Sequence, residues 1–148
     1  MSERSIAPDL ASLEVPWDIW GEAFWKATAQ RKLLMPSCAD CGTFRWPPGP
    51  FCPKCQSQKI EWKPPGQGRI YTFTVLPVPG AVKDAPLQHR VPVLVEFDQA
   101  KGIRLVSALV DAPLDKIAIG DAVEVDWRVA ANATVPVFRL LAPQRGEV

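Results

Sequence analysis

Residues 38–55, CADCGTFRWPPGPFCPKC, contain all four cysteines of this 148-residue chain. They form two pairs, Cys38 with Cys41 and Cys52 with Cys55, and ten residues separate the pairs. Two Cys-x-x-Cys pairs that face each other across a short hairpin are typical of a zinc site with four thiolate ligands. We therefore predict one structural zinc in a small ribbon near residue 50, with a coordination sphere closed to water.

Disulfides and a redox iron are the alternatives to zinc. Residues 1–15 are polar and irregular and show no apolar export segment, so we expect a reducing cytoplasm in which the thiols stay free. A rubredoxin iron site would separate its cysteine pairs by a much longer stretch than a hairpin. With every thiol on zinc, no cysteine remains for nucleophilic catalysis.

Charge and hydropathy restrict the class of protein. Seventeen basic and sixteen acidic residues give a net charge of +1, so the chain as a whole does not attract nucleic acid or an anionic membrane. No stretch approaches the roughly 18 apolar residues that span a bilayer. The hydrophobic fraction of 47% suffices for a core, and sixteen prolines oppose long helices. We predict a soluble, cytoplasmic, mostly β protein.

The segment before the ribbon is predicted to form an N-terminal amphipathic helix over residues 17–33, with residues 1–15 as a loose arm. Steps of about 100° per residue gather four aromatic residues on one arc. These are Trp17, Trp20, Phe24 and Trp25. Such a surface packs on the protein's own core or docks a partner protein, and the sequence leaves both interpretations open. Arg31 and Lys32 are expected in the last turn, where positive charge suits the helix dipole.

After the cysteines, turn residues divide β-type runs. Residues 43–46 and 60–63 are predicted as the strands of the ribbon, and PPGQG at 64–68 as a linker. Five runs follow, at residues 69–76, 91–97, 103–110, 122–129 and 135–141. Their number and order favour a five-stranded OB-fold barrel. We expect three parts: an arm and helix at 1–35, the zinc ribbon at 36–65 and the barrel at 66–148.

Taken together, these motifs resemble a known family. The motifs are Phe24-Trp25, Leu33-Leu34, the two cysteine pairs with prolines between them, GQGRIYTFTV at 66–75, VLVEF at 93–97 and IGDAV at 119–123. They resemble the rubredoxin-like zinc-ribbon plus OB-fold proteins, formerly a domain of unknown function, found beside thiolase-like and lipid-transfer-protein-like acyl-CoA enzymes. The likeness extends over about residues 17–143.

The resemblance implies a non-catalytic accessory subunit in a hetero-oligomer. Its partner, a thiolase-superfamily enzyme, would hold the catalytic cysteine and histidines and perform thiolysis, condensation or retro-aldol cleavage. The accessory subunit would support assembly and acyl-CoA binding, with CoA or acyl-CoA as a ligand shared with the partner. Our hypothesis is that the aromatic surface of the helix, together with the barrel, docks on this partner; its residues are Trp17, Trp20, Phe24 and Trp25.

The inventory of reactive groups points the same way. His89 is the only histidine, and no acid-base pair stands out, so we expect no catalytic residue in this chain. Basic groups that could contact CoA phosphates are Arg31, Lys32, Lys83, His89 and Arg90.

Two other functions stay open. OB barrels and zinc ribbons also bind single-stranded nucleic acid through a basic groove with stacking aromatic side chains, although the balanced charge of this chain argues against that function. The second alternative is an autonomous enzyme acting on acyl-CoA, which would require an acid or base that the sequence does not reveal.

Overall fold

The computed structural model describes residues 3–79 and 84–141. This part of the chain contains one α-helix, eight strands and one 3-10 turn. In chain order these are α1 (Glu22–Ala29), β1 (Met35–Cys38), β2 (Ile60–Lys63), β3 (Gly68–Phe73), β4 (Leu76–Val78), β5 (Gln88–Phe97), β6 (Arg104–Leu109), the 3-10 turn (Leu114–Lys116), β7 (Ala122–Val129) and β8 (Thr134–Leu140). The predicted mostly β fold is confirmed. Within this part of the chain, no helix has the length and apolar character needed to cross a membrane.

Five strands close into the predicted OB-fold barrel. The order is β3-β7-β8-β6-β5, and pairing of β3 with β5 closes the ring. Neighbouring strands are antiparallel, except that β6 and β8 meet in parallel at Leu109 and Phe138. Along β5, Val91, Val93 and Val95 are buried between half-buried neighbours, as the two-residue period of a strand requires. The apolar residues therefore face the barrel interior.

Gly68 is a residue of β3 that pairs with both neighbouring strands. It pairs with Phe97 of β5 and with Val123 of β7. A Cβ at this position would lie 3.1 Å from a methyl group of Val95 and 3.2 Å from one of Val123. Glycine thus allows three strands to approach one another at the point where the barrel closes.

The helix is shorter than its amphipathic pattern predicts. At the start, Asp18 Oδ1 accepts a hydrogen bond from the Gly21 backbone N–H at 2.6 Å, which holds a turn ahead of Glu22. At the end, Arg31 has a φ of 60°, and the Lys32 N–H donates to the Ala27 carbonyl. This is a Schellman motif, so Arg31 and Lys32 follow the helix instead of forming its last turn.

The predicted loose arm is tied to the barrel. Ser5 exchanges backbone hydrogen bonds with residues 111 and 112, and the Ile6 N–H donates to the His89 carbonyl. Further along, the side-chain amide of Asn132 bonds both the N–H and the carbonyl of Val15, at 2.7 and 2.8 Å. These bonds lay the arm across the outside of the barrel.

The ribbon forms its sheet from a different first strand than predicted. β1, which ends at the first cysteine, pairs with β2. Residues 43–46 contribute only an isolated bridge between Phe44 and Ser37, because Pro47 and Pro48 follow and have no N–H to extend the ladder. The exit strand over 60–63 is as predicted. Phe24 and Met35 belong to the same buried cluster as the barrel interior, and the division into 1–35, 36–65 and 66–148 stays a prediction.

Candidate metal centre and apolar cleft

The four cysteines come together at one end of the ribbon. Their sulfur atoms all lie within 4.8 Å of one another, and the Cys38–Cys55 and Cys41–Cys52 pairs are 3.5 and 3.6 Å apart. Cys38 and Cys52 are buried, whereas Cys41 and Cys55 are exposed. One metal ion can therefore reach all four thiols.

Each cysteine pair forms a tight backbone knuckle. The Gly42 N–H donates to the Cys38 carbonyl at 2.8 Å, and the Gln56 N–H donates to the Cys52 carbonyl at 3.0 Å. Both Gly42 and Gln56 have positive φ, 80° and 63°. Backbone N–H groups also point at the sulfurs, from Cys41 to Cys38 Sγ at 3.5 Å and from Lys54 to Cys52 Sγ at 3.4 Å. Such bonds stabilise thiolates.

These contacts separate the pKa values of the thiols. Hydrogen bonding from the Cys41 backbone lowers the pKa of Cys38 to about 6, and the backbone N–H of Cys55 lowers that of Cys52. At Cys55, hydrogen bonding from the Ser57 backbone lowers the pKa, but the thiol of Cys38, burial and the other thiols outweigh it and raise the pKa to about 12. Cys38 and Cys52 therefore ionise more readily than Cys55, and a metal ion would displace the protons that remain.

The sulfur cluster fits zinc. A tetrahedral site with Zn–S bonds of about 2.3 Å has edges of about 3.8 Å between sulfur atoms, close to the separations found here. Four cysteines complete such a sphere, so it offers no open position for a water or substrate. The four thiols that the sequence spacing predicts as ligands, those of Cys38, Cys41, Cys52 and Cys55, thus lie together in a geometry suited to one zinc ion.

The four aromatic residues of the predicted partner surface take two different positions. Phe24 is only 2% exposed and packs on Trp25 and Trp46, with ring centroids 4.9 and 4.8 Å away, so it holds the helix to the protein's own core. Trp17 and Trp20 are 42% and 39% exposed, and Trp17 stacks on Trp25. Partner binding by these residues stays a prediction.

An apolar cleft of about 850 Å³ opens beside Trp25. The arm contributes residues such as Leu10 and Leu13, the helix contributes Phe24 and Trp25, and the turn after the ribbon's isolated bridge adds Trp46 and Pro47. The barrel side is the outer face of β4, β5, β6 and β8. A cleft of this volume with few polar groups is typical of a binding site for an apolar ligand or segment.

Two arginines, Arg90 and Arg104, and one acidic residue, Asp9, are the charged residues that line this mostly apolar cleft. Arg90 is half-buried, and its Nε has no hydrogen-bond partner among the residues described. The guanidinium of Arg104 lies 3.8 Å from the ring centroid of Tyr71, which is 40% exposed. Cationic groups at an apolar cleft suit a ligand with an anionic end.

The predicted CoA contacts do not all share this cleft. Arg90 lines it, whereas Arg31 and Lys32 are exposed beyond the helix. His89 is mostly buried, and its Nδ1 is 3.4 Å from Glu3 Oε2. Lys83 lies outside the described residues. Binding of CoA by these residues stays a prediction.

Sequence reasoning missed Arg104 and the cleft itself. The cleft is assembled from the arm, the helix, the ribbon and the barrel, which are far apart in the chain. One weak signal exists, because β6 carries an exposed Val106 next to outward-facing Arg104, and an outer barrel face is usually polar. Nothing in the sequence shows what lies opposite that strand.

Comparison with known families covers most of the chain. Residues 25–61 match the rubredoxin-like zinc ribbon domain of ChsH2, and residues 63–128 match the C-terminal OB-fold domain of ChsH2.

Curated relatives carry different names. A Thermomonospora curvata protein named probable enoyl-CoA hydratase alpha subunit is 39% identical over 127 residues, which cover 82% of this chain and 38% of that protein. The chain thus spans well under half the length of that relative. A DUF35 domain-containing scaffold protein from Methanothermobacter thermautotrophicus is 38% identical over 108 residues, covering 70% of this chain and 78% of that protein.

A solved structure gives the same picture. A chain of the Ltp2-ChsH2(DUF35) aldolase superposes with a TM-score of 0.71 at 36% sequence identity. The match covers 86% of this chain and 98% of the other.

Proposed function

Because the chain belongs to the ChsH2 family of proteins with a zinc ribbon and an OB-fold domain (DUF35), we propose that it is a non-catalytic accessory subunit of an acyl-CoA enzyme. Its partner is a thiolase-superfamily or lipid-transfer-protein-like enzyme that performs thiolysis, condensation or retro-aldol cleavage. The accessory subunit supports the assembly of that enzyme and its binding of acyl-CoA. Its ribbon holds one structural zinc, and the complex works in the cytoplasm.

The observation that carries this proposal is the clustering of all four thiols into one closed set of metal ligands. Attack on a thioester or formation of a carbon-carbon bond beside one needs a nucleophile or a placed base. In this chain the cysteines face one another, and the single histidine lies beside Glu3. The chemistry is therefore assigned to the partner.

The relatives support an accessory role. The Methanothermobacter relative is named a scaffold protein, and the similar solved chain comes from an aldolase that combines Ltp2 with ChsH2. This chain spans 98% of that solved chain, so an equivalent place in a complex is available to it. The hydratase name of the Thermomonospora relative refers to a protein of which this chain covers 38%, and its activity is not carried over.

The tryptophan surface, defined as Leu13, Trp17, Ile19 and Trp20, is the proposed docking site for the enzyme. Its side chains are 41%, 42%, 75% and 39% exposed, and all four lie within residues 13–20, so this short segment presents an unusual amount of apolar surface. Tryptophans at the centre of an interface often contribute a large share of the binding energy. Phe24 supports this surface from beneath by anchoring the helix.

Docking is tested by co-purification with a thiolase-like protein. We expect the combined change of Trp17→Ser and Trp20→Ser to weaken the complex by at least about tenfold, because both side chains would be buried in it. Ile119→Ser is the matched control, since that residue is 69% exposed on the loop before β7. If both variants assembled equally well with the enzyme, the tryptophan surface would not be part of the interface.

The apolar cleft is the proposed place for the acyl or pantetheine part of the substrate. Arg90 and Arg104 would interact with anionic groups of the substrate, and Arg31, Lys32, Lys83 and His89 remain candidate contacts to CoA. The support is the combination of an apolar lining with two guanidinium groups.

Steady-state kinetics of the complex test this placement. We expect Arg90→Gln and Arg104→Gln to raise KM for acyl-CoA by about tenfold with little change in kcat, because the contact is to a non-reacting part of the substrate. Arg139→Gln is the control, as that side chain is exposed and paired with Glu124 at 2.9 Å. Turnover of acyl-CoA by the purified chain alone, at an enzymatic rate, would overturn the assignment of catalysis to the partner.

A further inference from the structure

Arg45 is a buried cation without an ion-pair partner among the residues that the structure describes. It lies in the ribbon between the two cysteine pairs and is only 5% exposed. Its Nε, Nη1 and Nη2 atoms are buried, and none has a hydrogen-bond partner within residues 3–79 and 84–141. A guanidinium is protonated at any ordinary pH, so its charge cannot be removed by loss of a proton. A buried charge without a partner is strongly unfavourable.

The ribbon backbone places Arg45 on the metal side of the sheet. The Arg45 N–H donates to the Pro36 carbonyl at 3.0 Å, and the Cys38 N–H donates to the Thr43 carbonyl at 2.8 Å. Ser37 and Phe44 form the bridge between these two pairs. Because side chains alternate along extended strands, Arg45 and Thr43 share a face with Cys38. The two rows are about 7 Å apart along the strand, within the length of an arginine side chain.

The carboxylates of the ribbon already have other partners. Asp40 accepts a hydrogen bond from Ser57 at 2.5 Å and lies 3.9 Å from Lys59 Nζ. Glu61 pairs with Lys63 at 3.0 Å. Both acids are about half exposed, whereas Arg45 is buried. The described part of the ribbon thus offers Arg45 no carboxylate.

A loaded metal centre would supply the missing negative charge. Four cysteine thiolates around a divalent ion leave two net negative charges on the cluster. In a buried setting such charges act over several ångströms with little screening by salt. The thiolates of Cys38 and its neighbours would then face the guanidinium across the same side of the ribbon.

We infer that Arg45 is the buried counter-charge of the metal-thiolate centre and helps hold its cysteines in the metal-binding state. The inference rests on the zinc site proposed above. Arg45 is a positioning residue here, since it acts through the thiolates and not on the metal directly. It follows that the charge of Arg45 has opposite effects in the two states of the ribbon. It destabilises the metal-free ribbon and stabilises the loaded one.

Three variants of the full chain separate charge from shape. Arg45→Met removes the charge and keeps most of the side-chain volume, while Arg45→Lys keeps the charge. Lys59→Met is the control, because it removes a positive charge from the same ribbon at a side chain that is 74% exposed. The measurement is zinc affinity by competition with a chelator, together with the cobalt(II) charge-transfer bands that report thiolate ligands.

We expect Arg45→Met to weaken zinc binding by about 10- to 100-fold, the range typical of residues that support metal ligands. Arg45→Lys should stay within a few-fold of the wild type, and Lys59→Met should match it. The metal-free Arg45→Met chain should melt no lower than the metal-free wild type, a result that loss of packing alone would not give.

Wild-type affinity in Arg45→Met would overturn the inference, as would equal losses in the Met and Lys variants. Either result leaves the zinc site itself intact. A wild-type chain that binds neither zinc nor cobalt would overturn the metal site and the role of Arg45 together.

Discussion

The ribbon and the barrel are both built from β-strands, but the strands are stabilised in different ways. In the ribbon, β1 and β2 have four residues each and pair only with one another and with an isolated bridge. In the barrel, five strands close on themselves and bury one another's side chains. Two strands alone are marginal in water, whereas a closed barrel has its own core. We therefore expect the ribbon to depend on a bound metal and on its contacts with the barrel, whereas the barrel depends on packing.

Loss of one metal ligand should have the largest effect. We expect Cys52→Ser to abolish tight zinc binding and to unfold the ribbon, because metal binding on the order of 10 kcal/mol is folding energy in such sites. The barrel should remain folded. Hydrogen exchange would show fast amides over residues 35–63 and slow amides over 91–97.

The control for this change is Ser57→Ala, which alters the same ribbon without touching a sulfur ligand. It should retain one zinc per chain by elemental analysis. A Cys52→Ser protein whose ribbon stays protected from exchange would contradict the dependence on metal.

Truncation of the barrel core should give the second largest effect. Phe138 is 1% exposed and packs against Phe97 at a ring separation of 6.4 Å. We expect Phe138→Ala to lower the free energy of unfolding by about 3–5 kcal/mol through lost burial and a cavity. Denaturant unfolding measures the change, and Val106→Ala, at a 72% exposed position, should stay within about 0.5 kcal/mol of the wild type. Zinc content should be unchanged in both.

An added methyl group at the point where the barrel closes should lower the stability by a smaller amount than truncation of the core. Gly68→Ala inserts a methyl group 3.1–3.4 Å from side-chain atoms of Val95, Val123 and Phe97. We expect a loss of about 1–3 kcal/mol by overpacking. Gly49→Ala is the control, because a Cβ there meets nothing within 4 Å. If the two variants had similar melting temperatures, the strands around Gly68 would be able to move apart and accept a methyl group without loss of stability.

The two knuckles of the ribbon should give the smallest effects, with opposite signs. Gly42 and Gln56 hold equivalent positions with positive φ, which a side chain disfavours. We expect Gly42→Ala to cost about 1 kcal/mol, since only the backbone conformation is affected. Gln56→Gly should gain about 0.5 kcal/mol, because relief of strain exceeds the added chain entropy. Thermal melts of the zinc-loaded proteins test both, and a loss in the Gln56 variant would mean that its side chain makes a needed contact.

Local patterns predicted most of the fold because their causes are local. The spacing of the cysteines is fixed by the reach of one metal ion, and the two-residue period of β5 is fixed by the strand. The helix ends were wrong for a related reason. Arg31 ends the helix in a left-handed conformation that favours glycine, so the usual stop signal is missing from the sequence.

The candidate site residues also differ in whether local sequence patterns could predict their environment. The clustering of the four cysteines was predicted from their spacing alone, while Phe24 was grouped with the exposed tryptophans although it is buried against Trp46. Helical periodicity shows which residues share an arc and does not show how much of that arc another segment covers. The arm that covers part of the barrel gave no pattern at all, because backbone bonds and Asn132 hold it.

By itself the sequence predicted the cluster of four cysteines, the strand content and the resemblance to a family, since each depends largely on residues close together in the chain. Only the tertiary structure decided that Arg45 is buried on the face of Cys38, that Arg90 and Arg104 line one cleft, and that two tryptophans stay exposed. The physical reason is that burial and charge pairing are set by contacts between distant segments. Such contacts leave no periodic trace in the chain.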